Sequence, residues 1–160
     1  MSAISIRRAR PDDAPTLGKL GALLVRTHFD FDPKRFLPLT PQTEERYGAF
    51  LSSQLEDPDT VILVAEGEGH VLGYTYATVE GYDYMSLRGP AGVLNDIVVD
   101  PSYRGRGIGR MLLEATMDEL KGREVPRVVL STAEQNEAAQ HLFERSGFRR
   151  TMVEMTREVR

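Results

Sequence analysis

The sequence predicts an α/β fold of the α+β kind, in which helices flank a mixed, mostly antiparallel twisted sheet. Its 160 residues, 41% of them hydrophobic, suit one domain (residues 1–160) with its own core. Two strand-like segments separated by Glu66-Gly67-Glu68-Gly69 predict an antiparallel hairpin. Later in the chain a strand, a helix and another strand follow one another, which indicates a crossover and a parallel pair.

The first third of the chain predicts one short strand and two helices. Ile4 and Ile6 alternate with polar residues, and Pro11-Asp12-Asp13 marks the start of a helix. Residues 28–42 are rich in proline and aromatic residues, so we expect an ordered but irregular connection there. Apolar side chains at helical spacing predict the two helices: Leu17, Leu20 and Leu24 in the first, then Tyr47, Phe50, Leu51 and Leu55 in the second.

The rest of the chain predicts five strands and two helices. The first of these helices carries an apolar stripe and ends near Gly122, and the second is closed by Gly147. The last strand rests on alternation of apolar and polar residues near the C-terminus. The predicted strands cover residues 61–65, 71–79, 93–99, 127–131 and 152–159, and the helices cover 108–122 and 137–145.

The composition excludes several kinds of chemistry. The chain has no cysteine, so disulfides, cysteine nucleophiles, iron–sulfur clusters and thiolate zinc sites are ruled out. Its three histidines, His28, His70 and His141, are far apart in sequence, and we expect no metal site. A net charge of −4 without a basic run argues against nucleic acid as a partner. No apolar run resembles a signal core or a membrane span, so we expect a cytoplasmic protein with no membrane partner.

A glycine-rich turn follows the predicted strand 93–99 and opens the next helix. Backbone N–H groups at a helix start are free to bind an anion, and Gly105, Gly107 and Gly109 leave room for it. Arg104 and Arg106 add positive charge. The alternative is a tight turn whose glycines only supply unusual backbone angles. Three alternating glycines flanked by arginines favour phosphate or pyrophosphate binding.

Two nucleotide-binding patterns fit this turn less well. No Gly-Lys-Ser/Thr follows the glycines, which argues against a P-loop. The dinucleotide pattern G-x-G-x-x-G begins at Gly105 and Gly107 but has Arg110 in the third glycine position. Glu134 offers a ribose-binding acid, so a dinucleotide-binding protein stays an alternative. It is less favoured because only one crossover is predicted.

Arg104-x-x-Gly107-x-Gly109 after Ile-Val-Val resembles the acyl-CoA-binding motif of the GCN5-related N-acetyltransferase (GNAT) superfamily. Residues 136–148 resemble the same family's N-x-x-A-x-x-L-Y-x-x-x-G-F pattern. The resemblance implies a single N-acetyltransferase domain that uses acetyl-CoA and no metal, and that moves the acetyl group directly to a primary amine in a ternary complex. It implies cofactor contacts along Ile97, Val98 and Val99, at Arg104, Gly105, Arg106, Gly107, Ile108 and Gly109, and at Asn136 and Phe143.

Phe143 departs from the family pattern, and Asn136 has a second interpretation. The family often carries at the position of Phe143 a tyrosine that protonates the departing thiolate, so that acid is missing here. A thiol with a pKa of about 8.5 is a tolerable leaving group without it. Asn136 also fits a purely structural role as the N-cap of its helix.

The catalytic candidates are Asp96 and Asn95. An alkylammonium with a pKa of about 10.4 must lose a proton before it attacks, and Asp96 is the nearest acid. Several family members place the carboxylate where this chain has Asn95, which cannot accept a proton, and neighbours on a strand point to opposite faces. Alternatively, Asp96 pairs with an arginine or anchors the substrate cation. The amide of Val98 or Val99 is the candidate oxyanion donor.

The acceptor is an amine of a small molecule or of a protein, and the sequence does not distinguish the two. Residues 28–42 and 81–84 are the segments expected to bind it, although core capping explains the aromatic residues of the first equally well. The resemblance also allows a homodimer. A CoA-sensing binding module without turnover is a further alternative, because Asn95 and Phe143 both depart from the family pattern.

Overall fold

Five strands form one sheet in the order β1-β2-β3-β4-β5 in the computed structural model, which describes residues 3–160. The strands are β1 (Ser5–Arg8), β2 (Thr60–Gly67), β3 (His70–Glu80), β4 (Ala91–Val99) and β5 (Val128–Leu130). The first three pairs of neighbours are antiparallel, and β4 pairs with β5 in parallel. The predicted mixed, mostly antiparallel sheet is therefore confirmed, with its hairpin at β2–β3 and its crossover between β4 and β5.

Within residues 3–160, four α-helices cover the two faces of this sheet: α1 (Ala14–Phe31), α2 (Thr43–Ser53), α3 (Ile108–Lys121) and α4 (Glu137–Arg145). Leu17, Leu20 and Leu51 of α1 and α2 bury one face of the sheet. Leu112, Leu113 and Leu120 of α3 and Phe143 of α4 bury the other. Each face thus has its own apolar core, as expected for helices whose apolar stripes must be removed from water.

Helices α1 and α2 approach so closely that their contact requires glycine. A Cβ added at Gly48 of α2 would lie 2.5 Å from the carbonyl oxygen of Ala14, and one at Gly18 of α1 would lie 2.2 Å from that of Glu44. Real Cβ atoms do not come this near to backbone oxygens. The two glycines therefore let α2 lie against α1 and bring its Tyr47 over the sheet.

Short-range signals in the sequence are confirmed where they specify turns and caps. Glu68 and Gly69 connect β2 to β3 with φ angles of 55° and 76°. The side-chain oxygen of Asn136 accepts a hydrogen bond of 3.1 Å from the backbone N–H of Ala139 and caps α4, as its second interpretation predicts. Gly147 follows α4 with a φ of 94°, a conformation that favours glycine.

Two predicted elements are wrong. The irregular connection does not begin at residue 28, because α1 continues through Phe31 and ends only before Asp32-Pro33. Helical hydrogen bonding tolerates the aromatic residues at 29 and 31, and the first proline comes two residues after the helix ends. Residues 152–159 form no strand. Alternation alone is insufficient for a strand, since its backbone groups also need a neighbouring strand to bond with.

An ion pair fixes the entry of the chain into α1. Arg7 of β1 donates two hydrogen bonds to the two carboxylate oxygens of Asp13, at 2.8 and 3.0 Å, and a third to Glu66 at 3.1 Å. The backbone N–H of Arg10 also donates to Asp13, at 2.7 Å. Burial raises the pKa of Asp13, but the hydrogen bonds from Arg7 and Arg10 outweigh it and hold this pKa below its ordinary value.

We expect Asp13→Asn to lower the free energy of unfolding at pH 7 by about 2–3 kcal/mol, because it leaves Arg7 partly buried without its main partner. The wild-type advantage should be complete above the ordinary aspartate pKa and should shrink as the pH falls through the lowered folded-state value. Urea denaturation at several pH values measures this. Arg8→Gln, which removes a mostly exposed pair with Glu119, is the control and should cost less than about 1 kcal/mol. An equal decrease in the free energy of unfolding for both variants would contradict the stabilising role of the Arg7–Asp13 ion pair.

Candidate active site

Strand β4 contains a β-bulge at Asn95 and loses its parallel neighbour at the same point. Across the antiparallel pair, Tyr76 lies opposite Asp96 whereas Ala77 lies opposite Leu94, so Asn95 is the extra residue. On the other side, pairing with β5 ends at Leu94 and Leu130. From Asn95 to Val99, a stretch that we call the β4 edge, the strand has no neighbour on that side among residues 3–160.

The direction of the backbone groups along the β4 edge follows from one hydrogen bond. Asp100 donates its N–H to the carbonyl oxygen of Leu72 in β3 at 2.8 Å. Because the groups alternate along a strand, Val98 also faces β3, whereas Ile97 and Val99 face the open side. The carbonyl oxygen of Val99 agrees with this, since it accepts a hydrogen bond of 3.4 Å from Arg104 Nε. The two open amides can pair with an extended ligand as a further strand would.

The glycine turn (Arg104–Gly109) follows the β4 edge after a short 3₁₀ turn at Pro101–Tyr103. Gly105 and Gly107 have φ angles of 80° and 77°, which favour glycine, and a Cβ at either would meet no atom within 4 Å. The first backbone N–H of α3 with a helical acceptor belongs to Met111, which donates to Gly107. Within the described residues, the amides from Gly105 to Arg110 have no recorded acceptor. The turn is therefore both open and rich in unused donors.

Positive charge surrounds the glycine turn. Arg104 and Arg106 are exposed, and neither forms an ion pair with any residue that the structure describes. The Arg106 guanidinium lies 5.2 Å from the centre of the Tyr103 ring. This stacking leaves the donors of Arg106 available, because a cation over a ring face uses none of its N–H groups. An anion at the turn would thus meet backbone donors and two arginines.

Asp96 lies on the α1–α2 face of the sheet and is held by two tyrosines. Its Oδ2 accepts hydrogen bonds from the hydroxyls of Tyr47 in α2 at 2.6 Å and of Tyr74 in β3 at 2.8 Å. Only 8% of Asp96 is exposed. No residue in the described part of the chain donates to its Oδ1, so this second oxygen is available to a ligand. We call these three residues the Asp96 cluster.

The environment changes the acidity of each member of the Asp96 cluster. Burial raises the pKa of Asp96 above its ordinary value, and the hydrogen bonds from Tyr47 and Tyr74 and the charge of His28 reduce that rise. Burial and the Asp96 carboxylate raise the pKa of both tyrosines, which therefore stay protonated at neutral pH and act as donors. A carboxylate with a raised pKa and one free oxygen can accept a proton.

The structure brings most of the predicted site residues to one region. Asn95 is exposed at the bulge, where its amide donates to Thr78 Oγ1 at 3.2 Å and to the Val93 carbonyl at 3.3 Å. Ile108 is 1% exposed, so only its backbone can reach a ligand. Phe143 is 5% exposed and packs against Phe148 with ring centres 5.9 Å apart. Its contact with a cofactor, like that of Asn136, stays a prediction.

Sequence reasoning missed Tyr47 and Tyr74 as partners of Asp96. The sequence pattern places Tyr47 only on the apolar face of a helix, and Tyr74 only in a strand. A signal was present, because a buried tyrosine hydroxyl needs a hydrogen-bond partner and Asp96 is an acid within a predicted strand. No feature of the sequence indicates the bulge at Asn95. It decides that Asp96, rather than Asn95, points toward α2.

Aromatic side chains lie beside the Asp96 cluster and on the loop between β3 and β4. Tyr76 of β3 contacts Phe50 of α2 edge to face, with ring centres 5.9 Å apart, and Phe50 is 49% exposed. Tyr82 and Tyr84 stack with ring centres 5.9 Å apart and are 69% and 75% exposed. Asp83 and Arg88 exchange two backbone hydrogen bonds, at 2.8 and 2.9 Å, and close that loop.

The described residues contain neither a metal-binding cluster nor a membrane-spanning helix. No group of three or more His, Cys, Asp and Glu side chains is arranged to hold a metal ion. No helix within residues 3–160 combines the length and the apolar character needed to cross a membrane.

The open β4 edge, the glycine turn and the mixed sheet agree with the acetyltransferase that the sequence resemblance predicts. Residues 23–148 match the model of the Acetyltransferase (GNAT) family, and the chain belongs to that family. The resemblance seen in the sequence is thus confirmed, and with it the class of enzyme, an N-acetyltransferase.

Related proteins are named as acetyltransferases. The chain is 29% identical over 147 residues to the uncharacterized N-acetyltransferase YhfO of Bacillus subtilis, covering 91% of this chain and 89% of that one. It is 43% identical over 60 residues to the [ribosomal protein bS18]-alanine N-acetyltransferase of Salmonella typhimurium, covering 38% and 40%. With the mycothiol acetyltransferase of Thermobispora bispora it shares 36% identity over 96 residues, which are 58% of this chain and only 31% of that protein.

Solved structures share the fold. A mutant of the BH1408 protein from Bacillus halodurans has a TM-score of 0.83 and 20% identity, covering 97% of this chain and 99% of that one. The aminoglycoside N-acetyltransferase AAC(6')-Iy in complex with CoA has a TM-score of 0.75 and 19% identity, covering 100% and 97%. These similarities confirm the predicted GNAT-like fold.

We expect Tyr47→Phe to raise the pKa of Asp96 further, because the carboxylate loses one of the two donors that favour its charged form. Carbon-13 NMR titration of the aspartate carboxyl groups measures this in the protein without substrate. Tyr103→Phe, which removes a hydroxyl outside the Asp96 cluster, should leave the Asp96 titration unchanged. An Asp96 pKa that is the same in wild type and Tyr47→Phe would contradict the geometry.

Proposed function

We propose that this protein transfers an acetyl group from acetyl-CoA to a primary amine by direct attack in a ternary complex. The observation that carries the proposal is the continuity of the β4 edge with the glycine turn. The edge provides open strand amides and the turn provides an anion cradle, and only the four residues 100–103 separate them in the chain. A ligand with an extended amide-containing arm and a pyrophosphate at its end matches both parts.

The residues of the glycine turn fit a pyrophosphate. A Cβ built at Gly105 or Gly107 meets only open space, so the backbone can approach a large anion without obstruction. The free amides from Gly105 to Arg110 and the start of α3 favour negative charge there. Arg104 and Arg106 supply guanidinium donors, which suit phosphate oxygens.

The β4 edge would hold the arm that leads to the thioester. Acetyl-CoA, when bound, supplies an activated acetyl group and a thiolate that leaves with an ordinary thiol pKa of about 8.5. Of the two predicted oxyanion donors, Val98 has its N–H directed toward β3, whereas Val99 directs its N–H to the open side. We therefore assign Val99, or Ile97 on the same side, as the donor that stabilises negative charge on the acetyl oxygen.

Asp96 would receive the proton of the amine. Its free Oδ1 and its raised pKa suit a group that must accept a proton near neutral pH. Tyr47 and Tyr74 hold Oδ2 and so orient the carboxylate. With Phe143 in place of the family's tyrosine, no phenol at that position protonates the departing thiolate, and solvent takes this role.

The acceptor remains a primary amine of a small molecule or a protein. The names of the relatives refer to different compounds, an alanine of a ribosomal protein and mycothiol, and the name of the structural neighbour refers to an aminoglycoside. Two aromatic residues beside the Asp96 cluster, the partly buried Tyr76 and the exposed Phe50, offer faces that attract a cation or pack an apolar chain. The cytoplasmic location and the homodimer stay predictions.

We expect Gly107→Leu to weaken CoA binding at least tenfold, since a side chain there fills the cradle and strains a left-handed backbone. Isothermal titration calorimetry with CoA measures it. Gly69→Leu is the matched control, because Gly69 has nearly the same φ of 76° in the β2–β3 turn. The Gly69→Leu variant should lose a similar free energy of unfolding and keep the wild-type affinity for CoA. Unaltered CoA affinity in Gly107→Leu would count against the cradle.

Asp96→Asn should lower kcat/KM for a reactive amine by about 10²–10⁴-fold and remove the acidic limb of its pH profile, because asparagine cannot accept the proton. Steady-state rates of thiol release across pH 5–9 measure both. Asp118→Asn, at an exposed position on α3, is the control and should keep the wild-type profile. A raised KM with an intact acidic limb would instead assign Asp96 as an anchor for the substrate cation.

The transferase, the binding module and the dinucleotide-binding protein predict different results in assays with an amine panel and with cofactors. Thiol release that depends on the added amine supports the transferase. Tight acetyl-CoA binding with no release across polyamines, amino acids, aminoglycosides and peptide N-termini supports a binding module. A melting temperature raised by nicotinamide dinucleotides but not by CoA would support the dinucleotide alternative and overturn the proposal.

A further inference from the structure

The buried position of Asp96 restricts where its proton can go after each reaction. In the proposed function every turnover transfers one proton from the amine to Asp96 Oδ1, and that proton must leave before the next turnover. Only 8% of Asp96 is exposed. Tyr47 and Tyr74 both donate to Oδ2, and because burial raises the pKa of both phenols they stay protonated. A further group with a basic lone pair is therefore needed near the carboxylate.

Helix α1 ends with a histidine on the face that packs against the sheet. Leu20 and Leu24 lie on that face and pack in the same apolar core as Tyr74. His28 follows Leu24 by four residues, so it continues this face one turn later. It lies in the last turn of α1, a helix that packs against both β3 and β4. The apolar face of α1 thus ends in an imidazole on the side of the sheet that holds Asp96.

Tyr47 links this face of α1 to Asp96. A Cβ added at Gly21 would clash with the ring of Tyr47, so the phenol lies directly against α1 at that point. The hydroxyl of the same ring donates to Asp96 at 2.6 Å. His28 lies two turns beyond Gly21, which is about 10 Å along the helix. The imidazole is therefore close to the Asp96 cluster.

The hydrogen bonding of His28 determines which of its ring nitrogens is free. Nδ1 lies 2.8 Å from the carbonyl oxygen of Leu24. A carbonyl oxygen only accepts, so Nδ1 carries the proton and donates it, and Nε2 of the neutral ring has the lone pair. Within residues 3–160, Nε2 has no recorded partner. Phe31 and Phe36 contact the ring edge to face, with ring centres 5.9 and 5.0 Å away, and hold it in this orientation.

The positive charge of His28 acts on Asp96. Burial raises the pKa of Asp96, and the hydrogen bonds from the two tyrosines and the charge of His28 lower it. Arg35, in the connection after α1, forms an ion pair with Glu154 instead. The remaining titratable groups packed around this end of α1 are Asp32, Tyr47, Tyr74 and Tyr76. His28 is thus the base whose charge the carboxylate experiences.

We propose that His28 removes from Asp96, directly or through one water, the proton that Asp96 takes from the amine; this inference rests on the proposed function. In the first transfer an N–H bond of the ammonium breaks and an O–H bond forms at Asp96 Oδ1. In the second, that O–H bond breaks and an N–H bond forms at His28 Nε2. The resulting imidazolium is favoured by the C-terminal end of α1 and, being only partly buried, returns its proton to water. His28 acts on the amine only through Asp96.

Loss of the proton acceptor should produce a defect that an added base repairs. With an amine that the wild type acetylates, His28→Ala should lower kcat about tenfold or more at pH 7 and leave the KM for acetyl-CoA unchanged. Added imidazole should restore the rate, because its free base takes the proton of Asp96 in the space left by the ring. His70→Ala, at an exposed position in β3, is the control and should keep the wild-type kcat with and without imidazole. A wild-type kcat in His28→Ala, or a loss that imidazole does not reduce, would overturn the proposal.

Carbon-13 NMR titration of the aspartate carboxyl groups tests the placement of His28 without any acceptor. His28→Phe keeps an aromatic ring against Phe31 and Phe36 but removes the charge, so the pKa of Asp96 should be higher than in the wild type. His70→Phe is the control and should leave the Asp96 titration unchanged. The same Asp96 titration in all three proteins would overturn the proposal even where the wild type acetylates amines. A higher Asp96 pKa in His28→Phe, together with a wild type that acetylates no amine, would instead contradict the transferase, and with it the proton transfer to His28, while confirming that the two residues interact.

Discussion

The bulge at Asn95 is the constraint on which the rest of the site depends. Without the extra residue, Leu94 and Asp96 would share a face of the sheet, because side chains two apart on a regular strand point the same way. With it, Leu94 joins the core under α3 while Asp96 turns toward α1 and α2. The bulge also coincides with the end of pairing to β5. One local irregularity thus separates the acid from the apolar core and opens the strand edge.

Placing a carboxylate in this position carries an energetic cost that the two tyrosines reduce. Since burial raises the folded-state pKa of Asp96, its ionised form lowers stability at pH values above that pKa, and the cost is absent below the ordinary aspartate pKa. Hydrogen bonds from Tyr47 and Tyr74 offset part of the lost hydration. The glycines that let α1 and α2 approach place Tyr47 over the sheet, so helix packing and acid–base chemistry depend on the same contacts. A raised pKa is also what a proton acceptor at neutral pH requires.

Features encoded by neighbouring residues were predictable from the sequence, and features that depend on distant partners were not. The hairpin, the glycine turn and the cap at Asn136 each follow from a few adjacent residues, and the parallel crossover follows from the order of strand, helix and strand. The bulge does not, because it is a relation between β4 and β3. The partnership of Asp96 with Tyr47 joins residues 49 positions apart. Residues 152–159 have the alternation of a strand, but whether they form one depends on pairing with a strand distant in sequence, which alternation does not specify.

Amide hydrogen exchange, followed by NMR with and without CoA, tests the central claim most directly. In the free protein, the amide of Val98 should exchange slowly because it faces β3, whereas those of Ile97, Val99 and the glycine turn should exchange fast. Addition of CoA should protect Ile97, Val99 and the turn and leave Val98 unchanged. Unchanged exchange at Ile97, Val99 and the turn under saturating CoA would contradict the assignment of the β4 edge and the glycine turn as the cofactor site.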